Sequence, residues 1–187
     1  SVNSAQFSPD GKYIVTASDD NTARVWDAKT GEPVTEPLKH ENSVNSAQFS
    51  PDGKYIVTAS DDNTARVWDA KTGEPVTEPL KHENSVNSAQ FSPDGKYIVT
   101  ASYDYTARVW DAKTGEPVTE SLRHEGPVYS AQFSPNGKYI VTASWEWDKT
   151  AKVWEFPPLQ ELIDKYHPTV LAIESQFVDK NPQTMIK

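Results

Sequence analysis

The segment Ser18-Asp19-Asp20-Asn21-Thr22-Ala23-Arg24-Val25-Trp26-Asp27 returns 42 residues later as Ser60 to Asp69. It returns again, altered, as Ser102 to Asp111 and as Ser144 to Glu155. Residues 1–42 and 43–84 are identical, and residues 85–126 differ from them at five positions. A fourth copy begins at Pro127, carries a two-residue insertion after Ser144, and stops near Phe156. A period of this length marks a stack of supersecondary units. A single unit cannot bury its own apolar faces, so the contact between neighbours must supply the core.

Within one copy, Val2-Asn3-Ser4-Ala5-Gln6-Phe7 mixes apolar and polar residues as a half-buried strand does. Ser8-Pro9-Asp10-Gly11-Lys12 is a tight turn, with Pro presetting φ and Gly supplying a positive φ. Tyr13 to Ser18 is rich in β-branched and aromatic residues and predicts a buried strand. Asp19-Asp20-Asn21 is a second turn, whose short side chains bond their own backbone. Thr22 to Trp26 forms a third strand, Asp27 to Glu32 a third turn, and Pro33 to Leu38 an outer strand. The two prolines of that last segment cannot donate ladder hydrogen bonds, which places it on an edge. Four short strands per copy make one antiparallel sheet, and a strand-built repeat of this length favours a propeller blade over a helical solenoid.

The pattern Leu38-x-His40, Val44, Phe49-Ser50-Pro51-Asp52-Gly53, Ser60-x-Asp62-x-Thr64 and Val67-Trp68-Asp69 resembles the WD-repeat (WD40) family, over residues 1–156. Lys39-His40 departs from the family's usual Gly-His and spares the histidine. The resemblance implies an all-β chain of four propeller blades, each a four-stranded antiparallel sheet, at 1–42, 43–84, 85–126 and 127–156, followed by an α/β tail at 157–187. It also implies a buried hydrogen-bonded set in each blade. By position this is His40, Ser60, Asp62 and Trp68, then His82, Ser102, Asp104 and Trp110, then His124, Ser144, Asp148 and Trp154. A catalytic His–Asp–Ser relay would use the same residue types, but a catalytic triad has no reason to recur in every blade. The set is therefore expected to be structural, and the chain to carry no catalytic residues and no cofactor.

The first copy has Ser18, Asp20 and Trp26 but no preceding histidine, and the fourth has three strands before the pattern ends. Together these describe a ring cut open. WD-type rings usually need more than four blades, so four leave two apolar flanks. Two chains closing an eight-bladed ring with twofold symmetry would cover both. A longer parent chain, or a chain that stays open, are the alternatives.

The near-identity of the copies makes their differences informative. Asp19 and Asn21 become Tyr103 and Tyr105, Asn3 becomes Tyr129, and the fourth copy inserts Trp145-Glu146-Trp147. The second turn and the start of strand one share one end of a blade, so these aromatics gather on one rim. Exposed Trp and Tyr are enriched at binding hot spots, which makes Tyr103, Tyr105, Tyr129, Trp145 and Trp147 a candidate protein- or peptide-binding rim. Drift in young duplicates, with the aromatics packing on one another or on the tail, is the plainer reading.

The charge balance bounds the partners. A net charge of −9 argues against a surface that tracks phosphates, so no nucleic-acid partner is expected. No apolar window reaches membrane-span length, so no membrane partner is expected either. With no cysteine there is neither a disulfide nor a thiolate metal site. A cytoplasmic location is compatible with that.

In the tail, Leu159, Leu162, Ile163 and Tyr166 have helical spacing and predict a helix over 159–166. Residues 169–174 read as a strand, with Thr169 to Ile173 available to fill the missing outer strand of blade four, and Pro182 could open another helix. Leu171-Ala172-Ile173-Glu174-Ser175-Gln176-Phe177 with Lys180-Asn181-Pro182 and Thr184 resembles an inner segment of the Holliday-junction resolvases, crossover-junction endodeoxyribonucleases. That resemblance implies that Glu174 matches one of four metal-binding acids. The other three have no counterpart, and a lone carboxylate cannot hold two Mg²⁺ ions. The tail thus reads as an inactive nuclease remnant and no metal is expected. The leading functional expectation is a non-enzymatic interaction scaffold that completes its ring by self-association. A nuclease remnant, and an amplified or engineered repeat segment without a dedicated partner, stand as the alternatives.

Overall fold

The protein is described by a computed structural model covering residues 1–145, 148–156 and 184–186. All regular structure among these residues is β, in four separate four-stranded antiparallel sheets. The first contains β1 (Val2–Phe7), β2 (Tyr13–Ser18), β3 (Thr22–Asp27) and β4 (Leu38–Lys39). The second contains β5 (Val44–Phe49), β6 (Tyr55–Ser60), β7 (Thr64–Asp69) and β8 (Leu80–Lys81). The third contains β9 (Val86–Phe91), β10 (Tyr97–Ser102), β11 (Thr106–Asp111) and β12 (Leu122–Arg123). The fourth contains β13 (Val128–Phe133), β14 (Tyr139–Ser144), β15 (Ala151–Glu155) and β16 (Thr184–Ile186). The ring is open.

The core lies between sheets, as the repeat requires. Val15, Ala17, Ala23, Val25 and Leu38 of blade one pack against Val44, Ala47, Phe49, Ile56 and Trp68 of blade two. The equivalent residues form the next two interfaces, between blades two and three and between blades three and four. Every interior blade therefore buries one face forward and one backward. This explains why the second strand of the inner blades is apolar on both sides: Ile56, Val57, Thr58 and Ala59 are all fully buried.

Three expectations are corrected. The outer strand is not Pro33 to Leu38 but the two residues Leu38–Lys39, joined by a single bridge between Trp26 and Pro33. Pro33 and Pro37 lack the N–H groups a longer ladder needs. The outer position of blade four is taken by Thr184–Ile186, not by Thr169 to Ile173, and this strand replaces the helix expected from Pro182. Ile186 stands opposite Ala151, the register position of Leu38 opposite Ala23. Finally, the first strand of each blade does not alternate simply. Its register skips Asn3, Asn45, Asn87 and Tyr129, each the extra residue of a β-bulge. The predicted helix 159–166, residues 169–174 and Glu174 lie outside the described residues.

Candidate functional site

Two groups of side chains stand out at the end of the ring where the β2–β3 turns lie. The first is buried and repeats. In blade three, His82 enters from the loop after β8. Its Nδ1 lies 2.8 Å from Asp104 Oδ2 and its Nε2 lies 2.7 Å from Thr100 Oγ1. Trp110 Nε1 donates to the same Thr100 Oγ1 at 2.9 Å. Blade two repeats this with His40, Asp62, Thr58 and Trp68. Blade four repeats it with His124, Asp148, Thr142 and Trp154. Despite the insertion Asp148 reaches His124, and a backbone bond from Ser144 N to Thr150 O at 2.9 Å joins the residues that flank it.

The hydroxyl at the centre was not legible as a participant. The residue joining imidazole to indole is Thr58, Thr100 or Thr142, on the middle of the second strand. Ser60, Ser102 and Ser144 lie outside that chain of bonds. Ser60 Oγ instead accepts from Asp62 N and donates to the Asn42 carbonyl, both at 3.1 Å, and so fixes the turn that carries the aspartate. Ser102 does the same for Asp104. Ser144 contacts the Trp145 carbonyl. The missed signal was a polar residue in a strand whose neighbours on both sides face a core.

Directionality follows from what each group can donate. An indole N–H only donates, so the threonine oxygen accepts it and turns its own hydrogen to the histidine Nε2. The other imidazole nitrogen, Nδ1, then carries the proton and gives it to a carboxylate that only accepts. Burial pushes the His82 and His124 imidazoles below their ordinary value of 6.5, against the pull of Asp104 and Asp148, so both are neutral. For Asp62 and Asp104 burial works the opposite way and raises the pKa. Hydrogen bonds from the histidine and from Thr64 or Thr106 outweigh it and hold both carboxyls well below the usual carboxylate range. Asp148 is lowered too, with burial again opposed by bonds from Thr150, the Glu125 amide and His124. The imidazoles have no solvent access and every partner is saturated. Such a set rigidifies a blade junction and offers no nucleophile to a substrate.

Blade one shows the set without its imidazole. Trp26 Nε1 still donates to Thr16 Oγ1 at 2.9 Å, but Asp20 is turned to solvent and bonds Arg24. Its side chain is 51% exposed, against 5% for Asp62 in an identical sequence. The histidine thus seals one blade to the next.

The second group is exposed and changes from blade to blade. The bulge residues Asn3, Asn45 and Tyr129 each lie against the β2–β3 turn of their own blade. Asn45 Nδ2 bonds Asp61 Oδ1 at 2.7 Å and the Val86 carbonyl of the next blade at 2.9 Å. Asn3 does the same with Asp19 and Val44. Asn87 keeps only the bond to Val128, because Tyr103 stands where Asp61 did. In blade four the pair is Tyr129 and Trp145, edge to face at 6.0 Å and each 58% exposed. Tyr103 is half-buried. Tyr105 is exposed, its carbonyl accepting from His124 N, with a left-handed φ of 68°. Trp147 lies outside the described residues. Among the described residues, no group of three or more His, Cys, Asp or Glu side chains is arranged to hold a metal ion. No helix among them is long and apolar enough to cross a membrane.

The model of the family described as WD domain, G-beta repeat matches residues 1–27, 31–69, 73–111 and 115–155. These four matches span most of the chain, each contains the three long strands of one blade, and none reaches the tail. Such repeats build interaction scaffolds, a use to which the sealed blade junctions and exposed turns are suited. The chain belongs to the WD-repeat family, WD domain, G-beta repeat.

Proposed function

We propose that the chain is a non-enzymatic interaction scaffold that closes its ring with a second copy of itself and presents the aromatic rim to a protein or peptide. One observation carries the self-association. The outward face of blade one, formed by Val2, Ala5, Phe7, Ile14 and Trp26, is residue for residue the face that blade two buries as Val44, Ala47, Phe49, Ile56 and Trp68. Phe7 is 62% exposed and Phe49 6%. The opposite flank, on blade four, carries Val141, Ala143, Ala151 and Val153, the counterparts of Val15, Ala17, Ala23 and Val25, which receive that face inside the chain. The two flanks are therefore complementary to each other. A contact of this kind is head-to-tail, and it closes when the rotations of the copies complete a circle. Two copies of four blades make eight, within the range that propellers adopt.

Light scattering on a sizing column tests this with the full chain. The expected result is a mass of twice 20.8 kDa, reduced to one chain by Phe7→Glu. Phe7 touches no interior interface, so that variant keeps its own fold, and its circular dichroism should match the parent. A monomer at every concentration up to the solubility limit, with or without the substitution, overturns the self-association.

A further inference from the structure

We infer that Asn136, in the β13–β14 turn, is a modification site: its side-chain amide closes on the Gly137 nitrogen, releases ammonia and is hydrolysed to an aspartate that the turn is already built to hold. This goes beyond the scaffold reading and needs neither a second copy nor a bound partner.

The first three copies place Asp10, Asp52 and Asp94 at this position, and the fourth places Asn136 there, before Gly137. It is the one Asn-Gly pair in the chain; every other asparagine precedes Ser, Thr or Pro. A glycine has no side chain to hinder a ring closing through its nitrogen, and Asn136 is exposed. Its Oδ1 accepts from the Ser134 hydroxyl at 2.7 Å and from the Lys138 amide at 3.1 Å. Both donors thus lie on the oxygen where negative charge develops when Cγ is attacked. The Nδ2 group that must leave bonds no side chain or backbone group among the described residues. One bond opposes the reaction. Gly137 N donates to the Ser134 carbonyl at 2.8 Å and closes the turn, so its nitrogen attacks when that bond opens. Exposed turns open locally at low cost, and the fold therefore slows the reaction without blocking it.

Water is the only co-reactant. The bond from Gly137 N to Cγ forms as the Cγ–Nδ2 bond breaks, and the proton lost by the Gly137 nitrogen leaves on the departing ammonia. The cyclic imide then takes up one water. Opening at Cγ restores the backbone and leaves aspartate. Opening at the main-chain carbonyl routes the backbone through the side chain and leaves isoaspartate. The turn accepts the first product bond for bond. Asp52 Oδ1 accepts from the Ser50 hydroxyl at 2.7 Å and from the Lys54 amide at 3.1 Å, the distances found at Asn136. Asp52 Oδ2 adds an ion pair with Lys54 Nζ at 3.2 Å, and Lys138 is the matching lysine of blade four. The second product inserts a methylene into the main chain inside the ring that the Gly137–Ser134 bond closes, so that bond is lost. Conversion to aspartate gives the turn of blade four the charge that the other three carry, and adds one negative charge to a chain already at −9.

The test incubates the folded full chain in mildly alkaline buffer and maps its proteolytic peptides by mass and retention time, which separates aspartate from isoaspartate. Asn136 is expected to convert roughly tenfold faster than Asn42 and Asn84, which are also exposed but precede serine. Asn136→Gln, whose longer side chain disfavours the ring, is expected to remove the early product and leave conversion elsewhere unchanged. Conversion at Asn42 or Asn84 as fast as at Asn136 would overturn the site. So would an Asn136 that stays intact in the folded chain over the time in which the urea-unfolded chain converts fully. Asn136→Asp supplies the first product pure. Its urea midpoint, at fixed protein concentration, is expected to match or exceed that of the parent, and a lower midpoint would overturn the claim that the turn accepts the aspartate.

Discussion

Replacing Thr100 by Val should cost far more than the same substitution at Thr16, though the two residues sit in strands of identical sequence, Tyr97 to Ser102 and Tyr13 to Ser18. Valine keeps the shape of threonine and removes the hydroxyl. At position 100 that orphans the indole N–H of Trp110, at 2.9 Å, and the Nε2 of His82, at 2.7 Å, in a place with no solvent access. Each buried group left without a partner costs about 1–3 kcal/mol. Some of this is offset by the apolar burial that the new methyl group gains, which leaves about 2–4 kcal/mol as the expected loss. With both substitutions made in the single-chain Phe7→Glu background, position 16 orphans only the Trp26 N–H among the described side chains, and that ring is half-buried, so water can replace the hydroxyl. The expected loss there is below about 1 kcal/mol. Urea denaturation, followed by tryptophan fluorescence at fixed protein concentration, compares the two midpoints. Equal shifts would refute the reasoning, because they would mean that the histidine adds nothing to the threonine's role.

Two further outcomes follow from the same geometry. Tyr105→Asn should raise stability by about 0.5–1 kcal/mol, since asparagine occupies the left-handed conformation readily; a lower urea midpoint would show instead that the tyrosine ring is held by contacts stronger than its strain. Stability should also fall with acid in two ranges. His82 and His124 have folded pKa values below the ordinary 6.5, so their contribution is complete above 6.5 and is lost as pH drops from there through the folded values. Asp62, Asp104 and Asp148 are depressed below 3.8, so theirs is lost in a second decline beginning near that pH. Midpoints measured from pH 7 to pH 3 in the parent and in His82→Gln check this, the variant losing its part of the first decline; a flat profile between pH 7 and pH 5 contradicts it.

Most of the fold is legible because each long strand carries its own local signals. Tyr13 to Ser18 is β-branched and bounded by turn residues, and the copies repeat it unchanged. The pairing of histidine with aspartate follows from the family pattern, and Asp148 reaches His124 despite the insertion. What could not be read depended on three-dimensional neighbours. Thr58 looks like any polar residue of a strand until both faces of that strand prove to be covered. Asn45 looks like one half of an alternation until the spacing of Val44, Ala47 and Phe49, three and then two, is recognised as a bulge. The outer strand was overread because Pro33-Val34-Thr35-Glu36-Pro37-Leu38 has strand-like composition without the donors to pair.

The equality of the blade faces also bears on how the chain finds its structure. Blades one and two have the same sequence, so the contact of blade two with blade one and a contact of blade two from another molecule would have the same chemistry. Nothing in the interface distinguishes a correct neighbour from a borrowed one. The tether does that: the short connection through His40 to Ser43 holds the adjoining blade at a high effective concentration. In dilute solution the order of blades along the chain is therefore the order around the ring. When many chains emerge close together, exchange of whole blades between molecules becomes the competing product, and a protein that assembles through repetition is open to tangling by the same route.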